Sequence, residues 1–527
     1  MPCGKYLAHF SLSSVGKCLS HPPFGGFSAN RQAILGALGP RWRSCAGLTG
    51  IIAIDFTRNH TNRQAETNRS LNLIIISILV GLAVWLSGAL FLSAIGLGFT
   101  FFILVRLLIL MGKRIPIIEL MTALAALQWI LGPYIEYRNT YDHYRYHMWV
   151  PENEYMAFVV PAVLAFWLGA NMIKPRIQLE DIKTQVLSIL DEHPYFPYIL
   201  IALGAFLPYL SGFFPPSLGF VFFLLSTLKY IGAIYLIHSE HRLRWWIFFG
   251  VLLFTMLTAI GAGMFHDVLL WGMLLFTFLA KEWNLGLSTK IIAAVLGLVF
   301  AMTIQTVKYP YREMTWNGGY EGNKTALFLK LAANAWSSGS IFTPGHGVHM
   351  NVRLNQGWII SAIMHNVPAS VPYAKGATIR DGIMNSVVPR ILNPNKLRAG
   401  GRENFRRFTG LSIRDDTSMG ISIAGEGWAN YGWSGGIIFM FLWGAFINWF
   451  WRMLERWSKY FPTLLIWSPM LFLQVVKAET EFGIVLNHLI KASIVVLGSV
   501  LLIRRIWGFR PESGQVQIEM ESCSPEI

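Results

Sequence analysis

The segment from Val307 to Asn430 carries fourteen Lys and Arg side chains against seven Asp and Glu, a net charge of +7. Most of the basic residues are arginines, whose planar fork grips phosphate oxygens in pairs, so the chemistry this stretch suits is binding an anionic, phosphate-bearing ligand. Arg353 stands just ahead of WIISAIMHNVP, whose large apolar residues are spaced for a helix lying on or dipping into a membrane surface. That places its guanidinium at headgroup depth, where the phosphates of a lipid-linked substrate would sit. No metal is expected: His346 and His349 are three apart among glycines, with no carboxylate or third histidine close in sequence. Glu136, Asp142 and Glu154 form a secondary acidic group. Lys229, Lys477, Glu479, Glu481 and Lys491 fall in or beside apolar runs, where ionisable residues are costly and signal function by default. Lys477 and Glu479 suit interfacial snorkelling, whereas Lys491 lies well inside a run and needs a partner, which singles out Glu481 and Lys491.

The elements that must position these residues are membrane helices. Of the 527 residues 54% are hydrophobic and only 13% charged, and the mean hydropathy is +0.46. Apolar stretches of roughly 20 residues recur, the length that crosses a hydrocarbon core of about 30 Å. The 43 basic against 28 acidic residues, a net +15, reflect the Lys and Arg that collect in short cytoplasmic loops rather than a nucleic-acid partner. Cys3, Cys18, Cys45 and Cys523 all lie in the tails, so the polar loop has no disulfide or cysteine-based metal site.

The predicted fold is an all-α polytopic membrane protein of about twelve spans. Leu71–Met111 supplies two spans as a tight hairpin, and seven more follow by residue 306; the last three, near 431–453, 464–476 and 484–503, follow the loop. The chain then divides into a basic extension expected to be poorly ordered (1–70), an N-terminal bundle (71–306), the Arg-rich loop (307–430), a C-terminal bundle (431–505) and a tail (506–527). With the N-terminus inside, the connections bearing Lys113 and Arg114, Lys174 and Arg176, Arg242 and Arg244, Lys281 and Lys290, and Arg452 and Arg456 all fall on the cytoplasmic side, as does Arg504-Arg505. Both tails are then cytoplasmic and the long loop is extracytoplasmic, containing short helices.

Several ordered motifs carry a family resemblance: ALQWILGPYIEY, GMFHDVLLW, then RLNQGW, VPYAKGATIRDGIMNSVVPRILNPNK and GISIAGEGWANYGWSGG in and after the loop. Together they resemble the Wzy-like O-antigen and exopolysaccharide polymerases of bacteria. The resemblance spans about Leu71 to Arg505 in architecture and is densest in the loop. It implies a metal- and cofactor-independent glycosyltransferase of the bacterial inner membrane, with a fold like that of the large GT-C-like membrane glycosyltransferases. Such an enzyme transfers a growing glycan from undecaprenyl pyrophosphate to the next lipid-linked repeat unit. Its partners would be that lipid-linked oligosaccharide, the bilayer and a chain-length regulator.

Carried over by position, Arg353 and Arg390 would hold the pyrophosphate, with Lys396 and Arg398 in support, and Tyr137 in the first motif would help bind substrate alongside Glu481 and Lys491. Glu426, in GEGW, would be the polar anchor or base, against a plain loop-pinning role; His346 and His365 are the other proton acceptors in the loop. The second outer loop departs from the family's paired arginine motifs, having only Arg138 and Arg145. An O-antigen ligase would use the same donor with another acceptor. A lipid-linked glycan flippase would instead favour internal repeats and short outer loops.

Overall fold

The computed structural model describes residues 68–139, 146–175, 177–215, 218–339, 341, 351, 354–388, 401–414, 417–461 and 463–507. The basic extension up to residue 67 and the tail from 508 lie outside them. All regular structure among the described residues is helical. Ten helices are long and apolar enough to cross a bilayer, the architecture of a polytopic helical membrane protein.

The first spans are α1 (Asn68–Leu86), α2 (Phe91–Leu110), α3 (Ile117–Glu136) and α4 (Glu152–Ala170). The expected hairpin is there, turning between Leu86 and Phe91 through Gly88 at φ 96°. A further helix, α5 (Leu179–Glu192), was not foreseen in the basic KPRIQLEDIK connection. A capping box between Gln178 and Asp181 starts it, and Leu179, Ile182, Val186, Ile189 and Leu190 form its buried stripe. The next spans are α6 (Phe196–Phe213), α7 (Gly219–His238) and α8 (Arg244–Ala262). Then come α9 (His266–Glu282) and α10 (Leu287–Arg312), the second continuing in a wider turn to Asn317 and so past the expected end at 306.

The segment after α10 folds into α11 (Lys324–Ser337), α12 (Gly357–Asn366), α13 (Ala377–Val387) and α14 (Arg402–Thr409). It joins α15 (Ile423–Trp457), a short helix α16 (Ser468–Phe472) and the last span α17 (Phe482–Trp507). The helix α12, expected at a membrane surface, is instead buried from Gly357 to Met364. It packs on α3 so closely that a Cβ on Gly132 would lie 2.7 Å from the Cα of Asn355, just ahead of α12. Apolar residues on every face fit a core helix better than a half-wet one.

Two of the twelve expected spans are not among the ten. Helix α9 has 17 residues, roughly 25 Å at 1.5 Å per residue, a little short of the hydrocarbon core. The run 464–476 is broken into a tight turn of helix (Leu464–Trp467), α16 and turns, and every residue from Leu464 to Leu473 is buried. Irregular backbone is tolerated at membrane depth only inside protein, so its apolar character serves the bundle core and not lipid.

Helices α4 and α15 form the closest pair. A Cβ on Gly169 would clash with the Phe441 carbonyl, and one on Gly444 with the Phe166 carbonyl, so small residues let the two backbones touch. The helix ends sort into two sets. At one end, called here the loop end, lie the end of α3, the start of α4 and the 307–430 helices. The opposite end gathers basic connections around buried acids. Glu282 bonds Lys183 at 3.0 Å, Arg244 at 3.3 Å and the buried His238 at 3.4 Å. Glu119 pairs with Arg106 and Arg114, Glu455 with Arg452, and Lys290 Nζ donates to the Met111 carbonyl.

Candidate functional site

Helix α15 begins at the loop end with a reversal. Ser422 accepts the Gly425 N–H at 3.1 Å and caps its start, and Gly432 breaks the helix at φ 68° and ψ −156°. A Cβ on Gly427 would lie 3.5 Å from the Cα of Gly436, whereas a straight helix would hold residues nine apart roughly 13 Å apart along its axis. The 423–431 limb therefore folds back on the 433–457 limb, glycine against glycine. The carbonyls that end the short limb are met by the loop before α13: Ala374 N–H donates to Ala429 at 2.9 Å and Lys375 N–H to Asn430 at 3.1 Å.

Glu426 sits inside this reversal, 1% exposed. Its Oε1 accepts from Thr378 Oγ1 at 2.6 Å, and its Oε2 accepts the Phe482 N–H, the first amide of α17, at 2.8 Å. Asn430 Nδ2 donates to Thr378 Oγ1 at 2.7 Å and to the Glu426 carbonyl at 2.8 Å, while its Oδ1 accepts the Gly376 N–H at 3.0 Å. One carboxyl group thus ties the short limb of α15 to the starts of α13 and α17. Glu481, the residue before α17, is also buried, and its Oε2 accepts from Asn404 Nδ2 of α14 at 2.9 Å. Burial holds the Glu481 carboxyl above the usual carboxylate range. The two acids are close enough to repel each other. A buried carboxyl of this kind keeps its proton to higher pH than an exposed one and can take part in proton transfer.

Arg353, Arg390, Lys396 and Arg398 lie outside the described residues, as do His346, His349, Asp142 and Arg145. Tyr137 is placed in the second loop, where its hydroxyl donates to the Val150 carbonyl at 2.8 Å and its ring lies 6.2 Å from that of Tyr155. Burial first, then the charges of Glu152 and Glu154, raise its phenol well above the usual value. Glu136 is buried and accepts from Asn351 Nδ2 at 2.5 Å, while Glu154 is exposed. His365 is exposed beside the Trp149 ring, 5.7 Å away.

The structure does not bring Glu481 and Lys491 together. Ten residues put roughly 15 Å between them along the helix, and Lys491 Nζ lies 5.0 Å from the ring of Phe220. Sequence reasoning missed Thr378, Asn404 and Asn430, the neutral groups that orient the acids. It also missed that Lys477, expected to snorkel, reaches Asp267 Oδ1 at 3.4 Å with 12% of its side chain exposed. Among the described residues no three His, Cys, Asp or Glu side chains gather as a metal site. Comparison of the chain with protein-family models, with curated proteins and with solved structures finds no match.

Proposed function

We propose that this protein is a polysaccharide polymerase of the bacterial inner membrane that moves a growing glycan from undecaprenyl pyrophosphate to the next lipid-linked repeat unit. The observation that carries the reading is the junction around Glu426. Two motif segments of the resemblance, VPYAKGATIRDG and GISIAGEGWANYGWSGG, bond to each other there through Thr378, Glu426 and Asn430, and the turn before α17 adds a second carboxylate. In the reaction the bond from the glycan's anomeric carbon to the pyrophosphate oxygen breaks. A bond from the acceptor hydroxyl oxygen to that carbon forms, and the hydroxyl proton passes to a base. Glu481 suits the base, because burial raises its carboxyl above the usual carboxylate range and, among the described residues, Asn404 engages only one of its oxygens. Glu426, with both oxygens engaged, is a positioning residue that fixes where α17 starts. Arg353 and Arg390 remain the proposed ligands of the leaving pyrophosphate, whose growing charge they would stabilise.

The test is polymer length in a producing strain. Glu481→Gln, Arg353→Ala and Arg390→Ala should each leave the protein inserted, remove the polymer ladder and let single lipid-linked units accumulate. Full-length polysaccharide from all three variants would sink the assignment.

A further inference from the structure

A second group of charges stands at the loop end, apart from the Glu426 network. Helix α9 opens with His266 and Asp267, and among the described residues no side chain caps it, so its first-turn N–H groups face outward uncapped at the positive end of a 17-residue helix. Lys229 of α7 approaches from the side. It is 9% exposed, and among the described residues its ammonium makes no hydrogen bond or ion pair. Its nitrogen lies 5.0 Å from the Tyr230 ring and 5.5 Å from that of Phe254. Its position is fixed from behind, because Gly204 lets α6 press against the α7 backbone there and a Cβ on that glycine would clash with the Lys229 amide. Asp267 is the acid that acts on it. Lys477, from the turn before α17, reaches the same carboxylate at 3.4 Å, and Glu479, Lys308 and Lys477 also act on His266. Tyr230 and Trp271, stacked at 4.1 Å between ring centroids, lie next to Lys229 and close the space on that side.

An ammonium has three donors and no acceptor, and burying it without acceptors is costly. Here two lysines and an open helix N-terminus converge, and the acid between them, Asp267, has about half its side chain exposed (46%). A half-exposed carboxylate can swing outward and give its place to an anion with more oxygens.

We infer that Lys229, Lys477 and the open first turn of α9 form a separate binding site for a phosphate or pyrophosphate group, with Asp267 as the group it displaces. This inference does not rest on the polymerase reading. The phosphate could arrive free or as the headgroup of a lipid, since both present the same oxygens.

The experiment uses the full-length protein in nanodiscs of zwitterionic lipid, titrated with inorganic pyrophosphate in a calorimeter. Saturable binding should weaken at least tenfold in Lys477→Met and in Lys229→Met, and stay unchanged in Lys459→Met at the opposite end. Asp267→Asn should bind several-fold tighter, a gain that a purely structural ion pair would not give. Lys477 lies in a turn, so its variant keeps the test readable should Lys229→Met fold poorly. A second arm adds a polyprenyl monophosphate to the discs: competition with pyrophosphate points to a lipid headgroup, and independent binding points to a free anion. Absence of saturable binding, or wild-type affinity in both lysine variants, overturns the site.

Discussion

Replacing Glu426 separates its hydrogen bonds from its acidity. In Glu426→Ala the Phe482 N–H and the Thr378 hydroxyl lose their acceptor in a pocket that is 1% exposed. An orphaned buried amide costs about 1–3 kcal/mol and a lost hydroxyl bond about 1 kcal/mol. The space vacated by the carboxylate adds about 1 kcal/mol. Relief of repulsion with Glu481 offsets a part, leaving a net loss of about 2–4 kcal/mol. Glu426→Gln keeps an acceptor for Phe482 and the shape of the side chain while removing the ionisable group beside Glu481, so it should lose about 1 kcal/mol or less. The assay is thermal unfolding of detergent-solubilised full-length protein followed by intrinsic tryptophan fluorescence, with the retained monodisperse fraction as a second readout. Equal melting temperatures for the Ala and Gln variants would refute the anchoring argument. A Gln variant as unstable as a true cavity mutant would do the same.

Three further outcomes follow from the geometry. Because the Glu481 carboxyl is raised in the folded protein, the fold binds that proton more tightly than the unfolded chain. Stability should therefore be fullest below the usual carboxylate range and decline as pH rises toward the raised value, while transfer activity rises over the same window as the base ionises; Glu481→Gln should flatten the first profile and abolish the second. Glu282→Ala strands Lys183, Arg244 and the buried His238 together and should cost about 3 kcal/mol in the same melt, whereas Lys281→Ala, which breaks a more exposed pair with Glu180, should cost under about 1 kcal/mol. Gly432→Ala forces a side chain into a backbone region only glycine occupies readily and brings its Cβ to 2.9 Å from the Tyr373 hydroxyl, so it should destabilise by about 2–4 kcal/mol; a neutral result would mean that the reversal relaxes without cost.

The lipid-facing helices were legible because lipid demands long apolar runs. Leu71–Met111 resolved into two spans with its turn where Gly88 allows it. The run 464–476 and WIISAIMH were misread because apolarity reports removal from water and does not separate burial in lipid from burial in protein. Helix α5 was hidden by its charges, whose spacing still carried the buried stripe from Leu179 to Leu190. At the site, GEGW drew attention to Glu426, but its partner Thr378 is 48 residues away and neutral, and Asn404 meets Glu481 across 77 residues. Periodicity reaches about two turns along a chain, so only the fold reveals such pairs. GEGWANYGWSGG reads as a lead into a span, and the use of its glycines as facing surfaces of a helical reversal shows only in the folded chain.

The proposed transfer is tested most directly by reconstituting the purified protein in liposomes with polyprenyl-pyrophosphate-linked oligosaccharide and separating products by size. The wild type should give a ladder of lipid-linked polymers, with release of polyprenyl pyrophosphate for each unit joined, and Glu481→Gln should give neither product. Single units that merely cross the bilayer unjoined, or a ladder that persists undiminished in Glu481→Gln, would contradict it.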